Sequence, residues 1–342
     1  MTPSTPISAD HLAGIEPVVD FLSDPAAYPE RPGFVRVTET HMSFVFIAGD
    51  WVYKIKKPVR LGMIDFTTLA ARRRNCEREL TLNRRLAPGV YREVMPIVRR
   101  PDGDLALAGE GEVIEWAVVM RRLDDDRLLD HMLAQGTVHP ADIARLGKVL
   151  ADFYAGAPRI NMAPEQLIAK WRGGVDMVER SLTDPAFGLP STSVSPPIQS
   201  LRDVLDHDPG LLTERAARGR IVEGHGDLRP EHVFLGSQTL LIDCLEFDEQ
   251  LRWLDPFDEA SLLGMECGRL GADWIGPQLV ECLSQRLQDQ PPPRLLRFYR
   301  CYRASLRASL SIEHLRDPRP RTPEKWPRQA REYLAIALAA MP

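Results

Sequence analysis

The sequence predicts an α+β, bilobal chain, with a small β-rich N-terminal lobe and a larger, mainly helical C-terminal lobe. Three observations lead there. Between residues 38 and 121, short β-branched and aromatic runs flank one long helical stretch, in the order strand, strand, helix, strand, strand. After Asp126 the apolar spacing changes to the period of amphipathic helices. The chain has 342 residues, 44% hydrophobic and 27% charged, which gives room for two lobes with ordinary globular cores. The expected division is 1–121 and 122–342.

Pro3, Pro6, Pro17, Pro25, Pro29 and Pro32 confine the first forty residues to one short helix and an extended lead-in. F-V-F-I-A-G-D-W-V-Y-K-I-K-K-P-V follows, two β-rich runs joined at Gly49-Asp50, a hairpin. On its second strand Val52, Lys54 and Lys56 share one face, and Trp51, Tyr53 and Ile55 the other. A helix is expected over 67–86, capped by Thr67 or Thr68 and stopped by Pro88-Gly89. Strands are expected at 93–99 and 113–121, the second running through E-W-A-V-V-M-R-R-L into the turn Asp124-Asp125-Asp126. Helices are then expected over 127–134, 140–155, 164–182 and 199–218. Residues 184–198, rich in Pro and Ser, read as an exposed loop. H-V-F-L-G-S-Q-T-L-L-I-D reads as a hairpin turning at Gly236-Ser237. The remainder reads as helical, punctuated by Pro291-Pro292-Pro293 and R-D-P-R-P-R-T-P-E-K-W-P, and no internal repeat is visible.

The net charge of −5 argues against a phosphate-backbone binder, which usually carries a basic excess. No basic n-region with an apolar h-region opens the sequence, and no apolar run approaches the roughly 20 residues of a membrane span. Five cysteines at 76, 244, 267, 282 and 301 form no C-x-x-C, so reduced, buried thiols in a cytoplasmic protein are expected.

Residues 224–235 read G-H-G-D-L-R-P-E-H-V-F-L. A hydroxyl attacking a phosphoryl group needs a carboxylate to orient it and accept its proton. It also needs metal ligands and a cation near the phosphates. Asp227 stands in a loop before a strand, where such a carboxylate would be exposed. The hairpin fold-back makes residues 232 and 243 cross-strand neighbours, so Asp243 is expected to point at the same space as Asp227 and His232.

H-G-D-L-R-P-E-H resembles the catalytic loop H-R-D-x-x-x-x-N of the protein-kinase-like superfamily, in the H-G-D form of aminoglycoside phosphotransferases. Val52-Tyr53-Lys54 resembles the strand bearing the phosphate-binding lysine, Glu79 in E-R-E-L-T-L-N-R-R-L its helix partner, and Ile242-Asp243 the metal site. Asp255-Pro256-Phe257-Asp258 resembles the later D-P-x-D-like segment. The wording E-T-H-M-S-F-V-F…V-Y-K-I-K-K-P…D-C-L-E-F-D-E is similar to an uncharacterised bacterial branch of that family, some of whose members add a P-loop domain. No G-x-x-x-x-G-K-[ST] occurs here, so the kinase part alone is expected.

The resemblance implies transfer of the γ-phosphate of ATP, or GTP, to a small-molecule hydroxyl. Asp227 would be the base, and His225 would brace the loop. Arg229 is either a stabiliser of the moving phosphoryl charge or a surface arginine. Asp243 would bind Mg²⁺. His232 stands where the family places asparagine, and imidazole suits Mn²⁺ or Zn²⁺ better than Mg²⁺. It would ligate a softer metal, hydrogen-bond to Asp227 or a phosphate, or mark lost catalysis; the second reading is preferred because the other parts are intact. Lys54 would neutralise the nucleotide phosphates, held by Glu79, which shares a helical face with Leu82 and Leu86; Lys56 and Glu77 are the competitors. Ser43 in E-T-H-M-S would cover the phosphates, and Met120 to Leu123 would be the adenine hinge. Asp258 would hold the catalytic loop from behind. Glu246, Asp248 and Asp255 are candidate metal or substrate contacts. With Asp124, Asp125, Asp126, Glu249 and Glu259 they would suit a cationic acceptor such as a polyamine. The rival readings are a nucleotide-binding pseudokinase with a regulatory role, motivated by His232, and a protein Ser/Thr kinase, disfavoured by the absence of an A-P-E signature.

Overall fold

A computed structural model describes residues 14–61, 64–317, 320 and 322–342. The chain divides into two compact units, Met1–Asp125 with Leu240–Phe247, and Asp126–Thr239 with Asp248–Pro342. The first boundary lies four residues beyond the expected one. Residues 240–247, which include Asp243, cluster with the first unit.

The first unit is built on a six-stranded antiparallel sheet. After helix α1 (Glu16–Ser23) come β1 (Val35–Glu39), β2 (Ser43–Ala48) and β3 (Trp51–Lys56), then the two-residue strands β4 (Arg60–Leu61) and β5 (Ile64–Asp65). Helix α2 (Leu69–Asn83) follows, then β6 (Tyr91–Arg99), β7 (Leu105–Leu107) and β8 (Glu112–Arg121). The sheet order is β1-β2-β3-β8-β6-β7. The β2–β3 hairpin turns at Gly49, whose φ of 60° suits the residue without a Cβ. Alternation on β3 does what the pattern predicts: Tyr53 and Ile55 enter a core with Phe46, Ile97, Ala117 and Val119, against which α1 packs Val18 and Leu22. The opposite face of β3 is left for Lys54 and Lys56. Thr68 caps α2, its hydroxyl accepting the Ala71 N–H. That helix buries Arg72, Asn75, Cys76, Glu79, Leu82 and Asn83, an i, i+3, i+4, i+7 stripe. The edge strands β1 and β7 were not anticipated; β7 is only three residues long, and β1, though Val35 and Val37 alternate with polar residues, is mostly exposed and short.

The second unit is mainly helical: α3 (Leu129–Ala134), α4 (Pro140–Gly156), α5 (Pro164–Leu182), α6 (Ser191–His207), α7 (Gly210–Ala217), then α8 (Pro256–Arg269), α9 (Ile275–Leu287), α10 (Pro293–Glu313) and α11 (Lys325–Ala339). Between α7 and α8 run the short strands β9 (Val222–Glu223), β10 (Val233–Leu235), β11 (Thr239–Leu241) and β12 (Trp253–Leu254), with β9 and β12 antiparallel. The exposed loop expected over 184–198 is a correction: helix starts at Ser191 and carries Pro196 and Pro197 inside it. Two lost backbone hydrogen bonds are outweighed by burial of Val194, Pro197, Ile198, Leu201, Val204 and Leu205, an apolar stripe that packs on α5, α10 and α11. The single helix expected over 199–218 is two, broken at Asp208-Pro209. All five cysteines are free, and all but Cys282 are buried. No helix among the described residues is long and apolar enough to cross a membrane.

Candidate functional site

Two groups of predicted residues are assembled, one in each unit. In the first unit Glu79 is fully buried between two lysines of β3: Lys54 Nζ stands 2.9 Å from Oε1 and Lys56 Nζ 2.5 Å from Oε2. These are charge contacts rather than well-aligned hydrogen bonds. Lys54 also donates to Asp243 Oδ1 at 2.7 Å, and Lys56 to Glu246 Oε1 at 2.5 Å. Five groups thus run Asp243, Lys54, Glu79, Lys56, Glu246. The preference for Glu79 over Glu77 holds geometrically, since Glu77 is half-exposed and paired with Arg73. The choice between the lysines does not reduce to one: both engage Glu79.

Burial opposes charge on Lys54, but Asp243, Glu79 and Glu246 outweigh it and hold the ammonium well above the ordinary lysine range. Burial likewise pushes Glu79 up, and Lys54 and Lys56 more than reverse it, leaving the carboxyl below its usual value. Glu246 is the reverse case: its burial dominates over the attraction of Lys56, and its pKa lies above the ordinary range.

Asp243 takes a left-handed backbone, φ 59°, a conformation that aspartate tolerates better than most residues. Its N–H donates to the Tyr91 hydroxyl at 3.0 Å, and the next N–H, of Cys244, donates to Asn83 Oδ1 at 2.8 Å. Side chains of α2 and β6 therefore set this turn, which sequence reading had no means of finding. The Asp243 side chain is 44% exposed, whereas Glu246 is sealed against Lys56. Glu246 is thus not placed as a metal or substrate contact. The half-exposed Asp243 carboxylate is the hard oxygen donor that Mg²⁺ takes. Among the described residues no group of three or more His, Cys, Asp or Glu could hold a metal unaided. Mg²⁺ needs only one or two carboxylates when phosphates complete its shell, so this donor set fits.

Ser43 is buried at the start of β2, its N–H donating to the Thr40 hydroxyl at 3.0 Å, so a phosphate-covering role does not follow from its side chain. Met120 and Leu123 lie with Ile242 against the small core of Cys76, Ala87, Val90, Tyr91 and Val118. The N–H groups of Arg121 and Arg122 are already spent on Val90 and Asp50 carbonyls.

In the second unit the H-G-D loop is tied down by a residue that the sequence reading left among generic acids. Glu259 on α8 is fully buried; it accepts the N–H of His225 at 3.0 Å, the N–H of Gly226 at 2.5 Å and the Tyr154 hydroxyl at 2.7 Å. The role expected of Asp258 belongs to its neighbour: Asp258 is instead locked to Arg303 of α10 by two bonds of 2.7 and 2.6 Å. Both glycines of G-H-G-D serve this clamp. A Cβ on Gly224 would come within 2.9 Å of Glu259 Oε2, and Gly226 has φ 93°.

Buried His225 accepts the Asp227 N–H through Nδ1 at 3.4 Å. Asp227 Oδ2 accepts from Arg229 Nε at 3.0 Å, and Arg229 also reaches Glu231 at 2.7 Å. His232 donates from Nδ1 to the Asp227 backbone carbonyl at 2.8 Å, while its Nε2 lies 3.5 Å from Arg229. Burial pushes the Asp227 carboxyl up, but His232, Arg229, Arg307 and His225 together outweigh it and hold it below the usual carboxylate value. Arg307, from α10, has no signature in the sequence; its Nε bonds buried Glu266 at 3.0 Å.

Asp255, expected among substrate contacts, is buried as the cap of α8 and bound by Arg215 and by the Tyr299 hydroxyl. Asp248 is exposed and caps a single helical turn, accepting the Gln250 N–H. Glu246, Asp255 and Glu259 are therefore spent inside the protein and drop out of the acidic set proposed for a cationic acceptor.

A choline/ethanolamine kinase family protein from Mesorhizobium loti superposes with a TM-score of 0.52 at 17% identity, over 95% of this chain and 99% of that one. The fold is protein-kinase-like. Aminoglycoside phosphotransferase APH(4)-Ia, crystallised with AMP-PNP and hygromycin B, shares this kinase-like fold at 13% identity, with a TM-score of 0.52 over 94% and 98% of the two chains. Plasmodium vivax ethanolamine kinase does so at 10% identity, with a TM-score of 0.51 over 89% and 81%. In sequence, uncharacterized proteins of Mycobacterium bovis and Mycobacterium tuberculosis are 33% identical over 313 residues, 89% of this kinase-like chain. The chain spans about 60% of the length of those relatives. No protein-family model matches it.

Proposed function

We propose that the protein is a phosphotransferase that moves the γ-phosphate of ATP, as its Mg²⁺ complex, to a hydroxyl of a small molecule. The observation that carries this reading is the sealed Lys54–Glu79 pair with Asp243 on the same ammonium. A buried ion pair is a weak source of stability, so its position beside a half-exposed carboxylate is better understood as function. In this reading Lys54 neutralises the nucleotide phosphates and Asp243 holds the metal, which supplies charge neutralisation at the transferring group. Asp227, kept anionic by its cationic surroundings, orients the acceptor hydroxyl and takes its proton. Arg229, bound to Asp227, is placed to stabilise charge on the moving phosphoryl group.

The fold's other bearers act on amino alcohols and sugars of antibiotics by their names, ethanolamine kinase and aminoglycoside phosphotransferase. We extend only the shared chemistry, an alcohol on a small molecule, to this chain. Five free cysteines accord with a cytoplasmic setting for such an enzyme. The test is turnover of ATP, and of GTP, with Mg²⁺ and with Mn²⁺ against a panel of aminoglycosides, sugars and amino alcohols. Phosphate transfer to one class is expected. Tight ATP binding with no transfer to any member would favour a nucleotide-binding pseudokinase, and phosphate appearing only on added protein would favour a protein kinase.

His232 separates these readings further. Its hydrogen bond to the Asp227 carbonyl makes it a brace of the loop. His232→Asn is expected to raise Mg²⁺-dependent turnover: the amide NH₂ can keep the bond to the carbonyl, and its oxygen is a harder donor than imidazole. Loss of turnover in that variant would assign the imidazole a direct task.

A further inference from the structure

We propose that Lys56 is a sealed counter-ion that holds the two buried carboxylates Glu79 and Glu246 at a net charge of −1, so that Lys54 is drawn inward by one charge rather than two and can also serve the nucleotide. This rests on the nucleotide-binding reading above. Glu79 has no access to solvent and needs a cation to stay ionised. With Glu246 buried there and no Lys56, one ammonium would serve two buried carboxylates and the incoming phosphates. The structure divides that labour. Lys56 is wholly buried, lies 2.5 Å from Glu79 Oε2 and cannot reach solvent; Lys54 holds the other oxygen and is the exposed one of the two, at 13%.

Glu246 completes the arrangement. It stands 2.5 Å from Lys56 Nζ and is itself 3% exposed, and the Phe247 ring covers the same ammonium at 5.7 Å from its centroid. Glu79, Lys56 and Glu246 form a closed triad with a formal charge of −1. Adding Lys54, which also donates to Asp243 at 2.7 Å, brings the sum to zero. Without Lys56, Lys54 would face two sealed carboxylates and would be drawn inward, away from phosphate. Lys56 is thus a positioning residue, and the spacing K-x-K on β3 together with D-x-x-E at 243–246 is its sequence signature.

The experiment is a double-mutant cycle read on MgATP affinity by titration, with kcat and KM measured separately. Lys56→Met is expected to weaken MgATP binding at least tenfold. Lys56→Met combined with Glu246→Gln removes one charge of each sign from the triad and is expected to recover binding to within about threefold of the wild type. A purely packing role predicts the opposite, a double variant no better than the single one, and that result would overturn the proposal. An unweakened Lys56→Met would do so too. If Lys56→Met alone does not fold, the double variant decides: affinity near wild type supports the proposal, and affinity as low as that of Lys54→Ala refutes it. A wild type that binds no MgATP would instead strike down the kinase reading, and this inference with it.

Discussion

Asp227→Ala is expected to lower phosphate transfer by about 10²–10⁴-fold while the nucleotide still binds. The backbone of the H-G-D loop is fixed by Glu259 through two N–H groups and by His232 through the Asp227 carbonyl. None of these bonds uses the Asp227 side chain, so its removal leaves the loop in place and takes away only the carboxylate. MgATP is assigned to Lys54 and Asp243, which the substitution does not touch. The signature is therefore a loss in kcat with little change in KM for ATP. Asp227→Asn keeps the shape and removes the basicity, and should fall nearly as far. Because cations hold the Asp227 carboxyl below its usual value, the group stays ionised as pH falls to that value, and the acid limb it contributes lies below about pH 4. Full turnover in both variants would dismiss Asp227 as the base.

Arg215→Met is expected to cost about 3–5 kcal/mol of stability. Arg215 is 5% exposed and joins two buried aspartates: Nε and Nη2 bond Asp255 at 2.5 and 3.2 Å, and Nη1 and Nη2 bond Asp289 at 2.9 and 2.6 Å. This ties α7 to the cap of α8 and to Asp289, two residues past α9. A methionine fills similar volume but leaves buried Asp255 with no cation, only the Tyr299 hydroxyl and the Phe257 N–H, and leaves Asp289 with Arg220 alone at 3.3 Å. Asp255 already sits above the ordinary carboxylate range, because its burial outweighs the pull of Arg215. Without the arginine the Asp255 carboxyl would rise further. A group whose folded pKa is raised favours the folded state at low pH and loses that contribution as pH rises through the folded value. The deficit of Arg215→Met should therefore shrink as pH falls through the raised folded value towards the ordinary carboxylate pKa of about 4, and be smaller at pH 4 than at pH 7. Denaturant unfolding at pH 4 and pH 7 checks this, and Arg215→Met combined with Asp289→Asn should recover part of the loss. Equal deficits at both pH values would show that packing rather than charge sets the cost.

Residue periodicity made much of the fold legible. The β2–β3 hairpin was readable because Gly49-Asp50 interrupts two β-rich runs, and α4 and α5 because proline marks their starts and apolar residues recur at helical spacing. The same reasoning failed at α6. Pro196 and Pro197 argue locally against helix, and only burial against three other helices overrides them. At the site, the lysine strand, the acidic helix residue and the H-G-D loop were all visible as residue types at fixed offsets.

What the sequence alone determined is which residue types stand at which positions: carboxylates at Asp227 and Asp243, an ammonium at Lys54 and a helix acid at Glu79. What only the tertiary structure decided is who holds whom. Asp258 and Glu259 are adjacent and alike, yet successive positions of a helix point about 100° apart. One therefore meets Arg303 and the other the backbone of the H-G-D loop. Lys54 and Lys56 share one face of a strand, where their neighbours separate their roles: half-exposed Asp243 beside the first and sealed Glu246 beside the second. Burial and partner charge belong to packing across distant segments, and no local pattern encodes them.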